Sequence, residues 1–228
     1  MRIEKTDFVA GASGARGIVV VIDVFRAFTT ACYCFAKGVE KIIPVGEIEN
    51  AVTLGREIEG AILIGEREGK RLAGFDYGNS PTEIVDADLV GKIIIQTTHS
   101  GTQGLVKAAL AEELFTGAFV NAQATCTYIK SRSPELVTLV RMGLGAKVAS
   151  DEDNLCADYL ESLLLGTKFN VDTIEPTLRK SSFSERFFDP TKPWNPPSDF
   201  THCLRINAFD FAIQAATDEN GRLFLRIP

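Results

Sequence analysis

Carboxylates placed just after apolar runs, and turns rich in glycine or hydroxyls, are the residues here that could do chemistry. The densest stretch is Leu63–Glu83, LIGEREGKRLAGFDYGNSPTE, where Gly65, Gly69, Gly74 and Gly78 recur. Between them stand Glu66, Arg67, Glu68, Lys70, Arg71, Asp76, Asn79 and Ser80. Glycine lets backbone approach a ligand closely, guanidinium groups take anions, and carboxylates offer hard oxygens to a cation. The bland alternative is a long solvated connection.

Three further groups have the same character. Asp23 ends the run IVVVIDV and is followed by Arg26, Thr29 and Thr30. A charge in such a run is costly unless something uses it, and a helix starting there would offer free N–H groups to a phosphate; the structural alternative is Asp23 capping that helix and pairing with Arg26. Thr97-Thr98-His99-Ser100-Gly101-Thr102 is a second anion-loop candidate, with His99 as a potential general acid, although Ser-Gly-Thr is also an ordinary N-cap. Asp151-Glu152-Asp153 opens a helix, where acids complement the dipole. Alternatively, Asp153 or Glu152 completes a carboxylate set with Asp23, Glu66 and Asp76, which makes sense around an anion only with a divalent cation between them.

Composition narrows the chemistry. The 228 residues carry a formal net charge of -6, against nucleic acid as the main partner, while the local cluster Arg67, Lys70 and Arg71 suits a small anionic substrate. Two histidines, His99 and His202, cannot build a histidine-rich metal site, so a bound metal must rest on carboxylates, favouring magnesium or manganese over zinc. Five cysteines without CxxC spacing indicate neither disulfide framework nor zinc site and suit a reducing compartment. No apolar run reaches the roughly 18 residues of a membrane span. The charged start MRIEKTDF lacks a signal core, so a cytoplasmic location is expected. A homo-oligomer is left open.

The elements that must position these groups alternate. Ile18–Val24, Lys41–Val45, Ala61–Ile64, Lys92–Thr97, Leu114–Thr116 and Leu136–Arg141 read as strands. Helices are expected over 26–37, 47–58, from Gly101 to about Ala111, over 121–130 and from near Ser150. This pattern predicts an α/β fold, three-layer α/β/α and doubly wound, with a mainly parallel sheet. Ligands bind outside the carboxyl ends of such strands, which places Asp23, Glu66, Thr97 with Thr98, and Met142 with Gly143 on one rim. The chain reads as a single domain, 1–228, with 167–228 less regular. There, helices are expected over 177–188 and 207–216, a loop over the proline-rich 189–198, and a closing strand over 223–227 at a sheet edge.

VIDVFRAFTT (21–30), GEREGKRLAGFDYGNSPTE (65–83) and TTHSGT (97–102), with GAFVNAQA (117–124), together resemble the 2-phosphosulfolactate phosphatases, a family of magnesium-dependent acid phosphatases. The resemblance covers nearly the whole chain. It implies hydrolysis of a phosphate ester on a small anionic organic acid, in the archetype a step towards coenzyme M, with Mg²⁺ as cofactor. It carries over Asp23, Arg26, Glu66, Arg67, Asp76, Asn79, Ser80, Thr98, Gly101, Thr102 and Asp153. On this basis Asp23, Arg26, Glu66 and Arg67 are expected to be catalytic. Metal binding is expected from Asp23, Glu66, Asp76 and Asp153. Substrate binding is expected from Thr29, Thr30, Asn79, Ser80, Thr98, His99, Ser100, Gly101 and Thr102. Departures from the family pattern fall at His99, Ser100, Arg141–Leu144 and Asp158, all expected on the rim. Two alternatives stand: a non-catalytic binder of a phosphorylated acid, and a cysteine hydrolase using Cys126, since Asp23, Lys92 and Cys126 echo the residue order of isochorismatase-like enzymes without their local motif.

Overall fold

The computed structural model describes residues 1–228. The chain opens with β1 (Arg2–Asp7), α1 (Phe8–Gly14), β2 (Ile18–Ile22), α2 (Ala27–Ala36), β3 (Lys41–Pro44), α3 (Ile48–Glu57), β4 (Ile62–Arg67) and β5 (Lys70–Arg71). It continues through α4 (Pro81–Val85), β6 (Ile93–Thr97), α5 (Gly101–Lys107), β7 (Glu113–Gly117), α6 (Ala122–Ser131), β8 (Leu136–Arg141) and α7 (Asp151–Leu165). The C-terminal part holds α8 (Ile174–Arg179), a 3-10 helix (Ser182–Phe187), α9 (Pro197–Cys203), β9 (Gln214–Thr217) and β10 (Leu223–Arg226).

The strands form a ten-stranded sheet in the order β1-β8-β2-β7-β9-β10-β3-β6-β4-β5. β1, β8, β2 and β7 are mutually parallel, as are β3, β6 and β4. The antiparallel pair β9–β10 joins the two groups, antiparallel to β7 on one side and to β3 on the other. The mainly parallel α/β architecture is therefore the expected one. Its three layers show in β2, whose five residues are all buried: Val19 and Val21 join a core with α1, α2 and α5, while Ile18, Val20 and Ile22 join a second core with α6 and α7. Alternate side chains of one strand thus serve opposite faces. No helix is long and apolar enough to cross a membrane.

Four local readings are corrected. The glycine-rich stretch is no open loop: β4 runs on to Arg67 and turns back into β5, pairing Glu66 with Arg71. The expected 207–216 helix is absent: Asn207 sits in a turn at φ +56°, residues 208–213 carry no helix, and 214–216 belong to β9, with Phe209 N–H bonded to Val120 O and Ile213 O accepting from Thr116 N–H; the signal is the period-two spacing of Phe209, Phe211 and Ile213. The expected 177–188 helix is broken, because Ser181 Oγ accepts from Phe183 N–H and starts a separate 3-10 turn. The closing strand lies inside the sheet, between β9 and β3.

Candidate active site

The apolar run of β2 delivers Asp23 to the floor of a cavity of about 700 Å³, a size common to small-ligand sites. Asp23 Oδ1 accepts from Ala27 N–H at 3.1 Å. Gly101 packs so closely that a Cβ there would lie 2.8 Å from Asp23 Oδ2 and from Ala27 Cβ, so only glycine fits. Burial pushes the Asp23 carboxyl up to about 6; the Ala27 N–H opposes this, and the nearby Glu66 charge adds to it.

The acidic opening of α7 reaches the same floor. Asp153 accepts from Val24 N–H (2.9 Å) on one oxygen and Gly143 N–H (2.8 Å) on the other, tying the ends of β2 and β8 together. Burial, then Glu152 and Asp23, hold its pKa well above the ordinary carboxylate value. Beside it, Glu152 Oε2 is buried without a hydrogen-bond partner. Its carboxyl is raised to about 7, chiefly by burial, against the pull of Arg186 and with a push from Asp23.

From the other half-sheet come Glu66, Asn79, His99 and Ser100. Glu66 accepts from His99 N–H (2.8 Å) and Gly69 N–H (2.7 Å), fixing the β6–α5 turn and the β4–β5 hairpin at once. Asn79 is buried, and its Oδ1 has no partner.

The C-terminal part supplies the remaining wall. Arg186 donates from Nη2 to Phe25 O (3.1 Å), while its Nε is buried and unpartnered. Burial lowers its pKa, Glu152 and Asp23 support its charge, and Arg26 opposes it. Arg26 itself is occupied: it pairs with the buried Asp199 and donates to Trp194 O (2.9 Å) and Gly69 O (3.0 Å). It holds the arm at 189–195 against the hairpin.

Of the residues expected from the sequence, the cavity gathers Asp23, Arg26, Glu66, Asn79, His99, Ser100 and Asp153, with Gly101 packed behind Asp23. Several do not reach it. Arg67 turns away, donating to Glu66 O, Gly46 O and Thr97 Oγ1. Asp76 is exposed and accepts from Leu63 N–H at 2.8 Å, away from the other carboxylates. Thr29 Oγ1 donates to Val24 O, and Thr30 is fully buried. Ser80 Oγ donates to Asp199, and Thr98 and Thr102 bond each other. Two departures also lie outside the cavity: Arg141 pairs with Asp7 and Asp158 with Lys5, both on β1. Cys126 is buried between α6 and α7, its thiol pushed up to about 12 by burial, outside the cavity; a thiolate nucleophile is not favoured.

Glu152 and Arg186 join the cavity beyond the residues expected from the sequence. In the sequence Glu152 stands only as an alternative to Asp153, and Arg186 lies in a segment without strand–helix alternation, where its one signal is a cationic side chain between Phe183 and Phe187.

The arrangement can seat an anion at Arg186 beside carboxylates that repel one another. Asp23 and Glu152 are the hard-oxygen donors best suited to a cation, with Asn79 Oδ1 a further buried acceptor. No three His, Cys, Asp or Glu converge into a preformed cage.

A family model described as 2-phosphosulpholactate phosphatase matches residues 8–215. A protein of Bacillus subtilis (strain 168) is 31% identical over 206 residues, 88% of each chain. One of Clostridium perfringens (strain SM101) is 28% identical over 232 residues, 95% of this chain and 93% of its own. One of Carboxydothermus hydrogenoformans is 43% identical over 150 residues, 66% of this chain and 61% of its own. All three are named probable 2-phosphosulfolactate phosphatase.

Proposed function

Because the chain belongs to the 2-phosphosulpholactate phosphatase family, we propose that it hydrolyses the phosphate monoester of a small anionic organic acid, 2-phosphosulfolactate first among them, giving sulfolactate and phosphate. The observation that carries this reading to named residues is the juxtaposition in one cavity of Arg186, with a buried unpartnered N–H, and the carboxyl groups of Asp23 and Glu152.

Phosphate monoesters resist hydrolysis so strongly that catalysis must supply on the order of 20 kcal/mol. Phosphoryl transfer leaves little covalent work to the protein, so the contribution is positioning and electrostatics. Arg186 binds the phosphoryl oxygens. Water adds to phosphorus in line, the ester P–O bond breaks, and one water proton passes in net terms to the leaving alkoxide. Glu66 and Asp153, each bonded to two backbone N–H groups, hold the turns around the reacting centre.

Magnesium belongs to the same proposal. The ion characteristically takes one or two carboxylates together with waters and substrate phosphate. Asp23 and Glu152 fit that pattern: burial raises both carboxyls, Asp23 pushes that of Glu152 up further, and Glu152 Oε2 lacks a partner. When bound, the ion would neutralise phosphoryl charge. A cytoplasmic setting completes the reading, supported by five free, buried cysteines, and the family resemblance implies a place on the route to coenzyme M. Phosphate release from 2-phosphosulfolactate with magnesium tests it; no release from that or any other phosphorylated acid would refute it.

A further inference from the structure

Seven residues of the arm and the adjoining 3-10 helix line the cavity, yet seating a phosphate at Arg186 accounts for few of them. At the mouth, Lys70 at the start of β5 holds its Nζ 4.5 Å from the centre of the Trp194 ring. A lysine is ordinarily a mobile, fully hydrated charge; stacking on an indole orients it. Trp194 is in turn fixed, because its carbonyl accepts from Arg26, which also holds Gly69 O. Gly69 has a φ of +79°, and Asn195 Oδ1 would lie 3.1 Å from any Cβ there, so hairpin tip and arm fit only with glycine. The two acids at the mouth, Glu68 and Glu185, make no ion pair with Lys70, nor does any other carboxylate. Lys192 is nearby, but it is paired with Asp189 at 3.1 Å.

We propose that Lys70, braced by Trp194, is a specificity-determining residue that binds the second anionic group of the substrate, a carboxylate or sulfonate, while the phosphate lies at Arg186. This rests on the phosphatase reading above and adds to it the basis for preferring esters of acids over simple phosphate esters. An oriented cation at the mouth rewards a substrate whose far end is anionic. It offers nothing to a monoester whose far end is neutral.

The test compares wild type, Lys70→Met and Lys70→Arg on three substrates with magnesium: 2-phosphosulfolactate, 2-phospholactate and phenyl phosphate. Lys70 is exposed on a hairpin, so neither change threatens the core. The expected result is a KM about tenfold higher in K70M for acid-bearing esters, the usual loss for one charged contact, with kcat little changed and partial rescue by K70R. The effect on phenyl phosphate should be several-fold smaller. A rise confined to 2-phosphosulfolactate identifies the sulfonate as the group bound; a rise for both acids identifies the carboxylate. Equal KM changes on all three substrates, or none on any, would overturn the proposal. If wild type turns over none of them, the phosphatase reading fails by itself. Lys70 is then judged by calorimetric binding of sulfolactate, about tenfold weaker in K70M if the proposal holds and unchanged if it does not.

Discussion

Arg26 and Asp199 form an ion pair across 173 positions of sequence, with side chains 4% and 0% exposed. Asp199 also accepts from Ser80 Oγ (2.8 Å), Thr82 N–H (3.0 Å) and Thr82 Oγ1 (2.7 Å), so a single carboxylate joins the start of α2, the glycine-rich stretch and α9. The Arg26 guanidinium, expected to meet substrate, instead anchors the wall of the site. Asp199→Ala would leave that guanidinium buried and unpaired, at a cost of about 3–5 kcal/mol. Thermal unfolding should show the loss, and limited proteolysis should cut the 189–196 arm sooner than in wild type.

The two remaining arginines near the site should separate cleanly. Removing Arg186 takes away a phosphoryl contact, so Arg186→Met is expected to lower kcat/KM on the order of 10² to 10³-fold in a folded protein. Arg67 bonds only carbonyls and a hydroxyl of its own surroundings. Arg67→Ala should therefore cost roughly 1–3 kcal/mol of stability and leave kcat within about threefold. Steady-state kinetics and melting curves on both variants would distinguish these outcomes, and equal loss of kcat in the two would contradict them.

The buried carboxyls make the metal-free protein less stable at neutral pH than in mild acid. Asp23 is raised to about 6 and Glu152 to about 7, so the folded state binds more protons than the unfolded chain between about pH 4 and pH 7. Stability then falls as pH rises through that window. In chelator, Tm should be several degrees higher at pH 5 than at pH 8, and Glu152→Gln should flatten the difference. A Tm that rises from pH 5 to pH 8 by the same amount in wild type and E152Q would refute this.

Magnesium should act on stability as well as turnover. Binding only the folded state raises stability with ion concentration, so millimolar Mg²⁺ should raise the Tm of wild type at pH 8 and do so far less for E152Q. Removal of the ion by chelator should abolish phosphate release, and re-addition should restore it. Turnover untouched by chelator would exclude the assigned role.

The sequence made the framework legible because β2, β6 and β8 are short β-branched runs whose burial leaves them few alternatives. For the same reason Asp23, standing one residue beyond such a run, was visible as a site residue. What local pattern could not reveal was partnership. Asp76, Ser80, Arg67 and the Thr98–Thr102 pair are polar residues in glycine-rich turns, and only the fold shows that their hydrogen bonds are spent on nearby groups. Arg186 was hidden for the opposite reason: it comes from an irregular segment, and its proximity to Asp23 and Glu152 depends on α7, α9 and the arm packing together. A helix expected over 207–216 overlooks the alternation of Phe209, Phe211 and Ile213, whose period of two is the signal of a non-helical backbone.

Asp23→Asn is the most direct test of the central claim. Asparagine can still accept the Ala27 N–H through its oxygen, so the turn into α2 is retained while the charge is removed. Phosphate release from 2-phosphosulfolactate with saturating magnesium is expected to fall on the order of 10³-fold or more, with Tm in chelator at pH 8 equal to or above that of wild type. A D23N protein that hydrolyses the ester at the wild-type rate would contradict the assignment of this cavity as the active site.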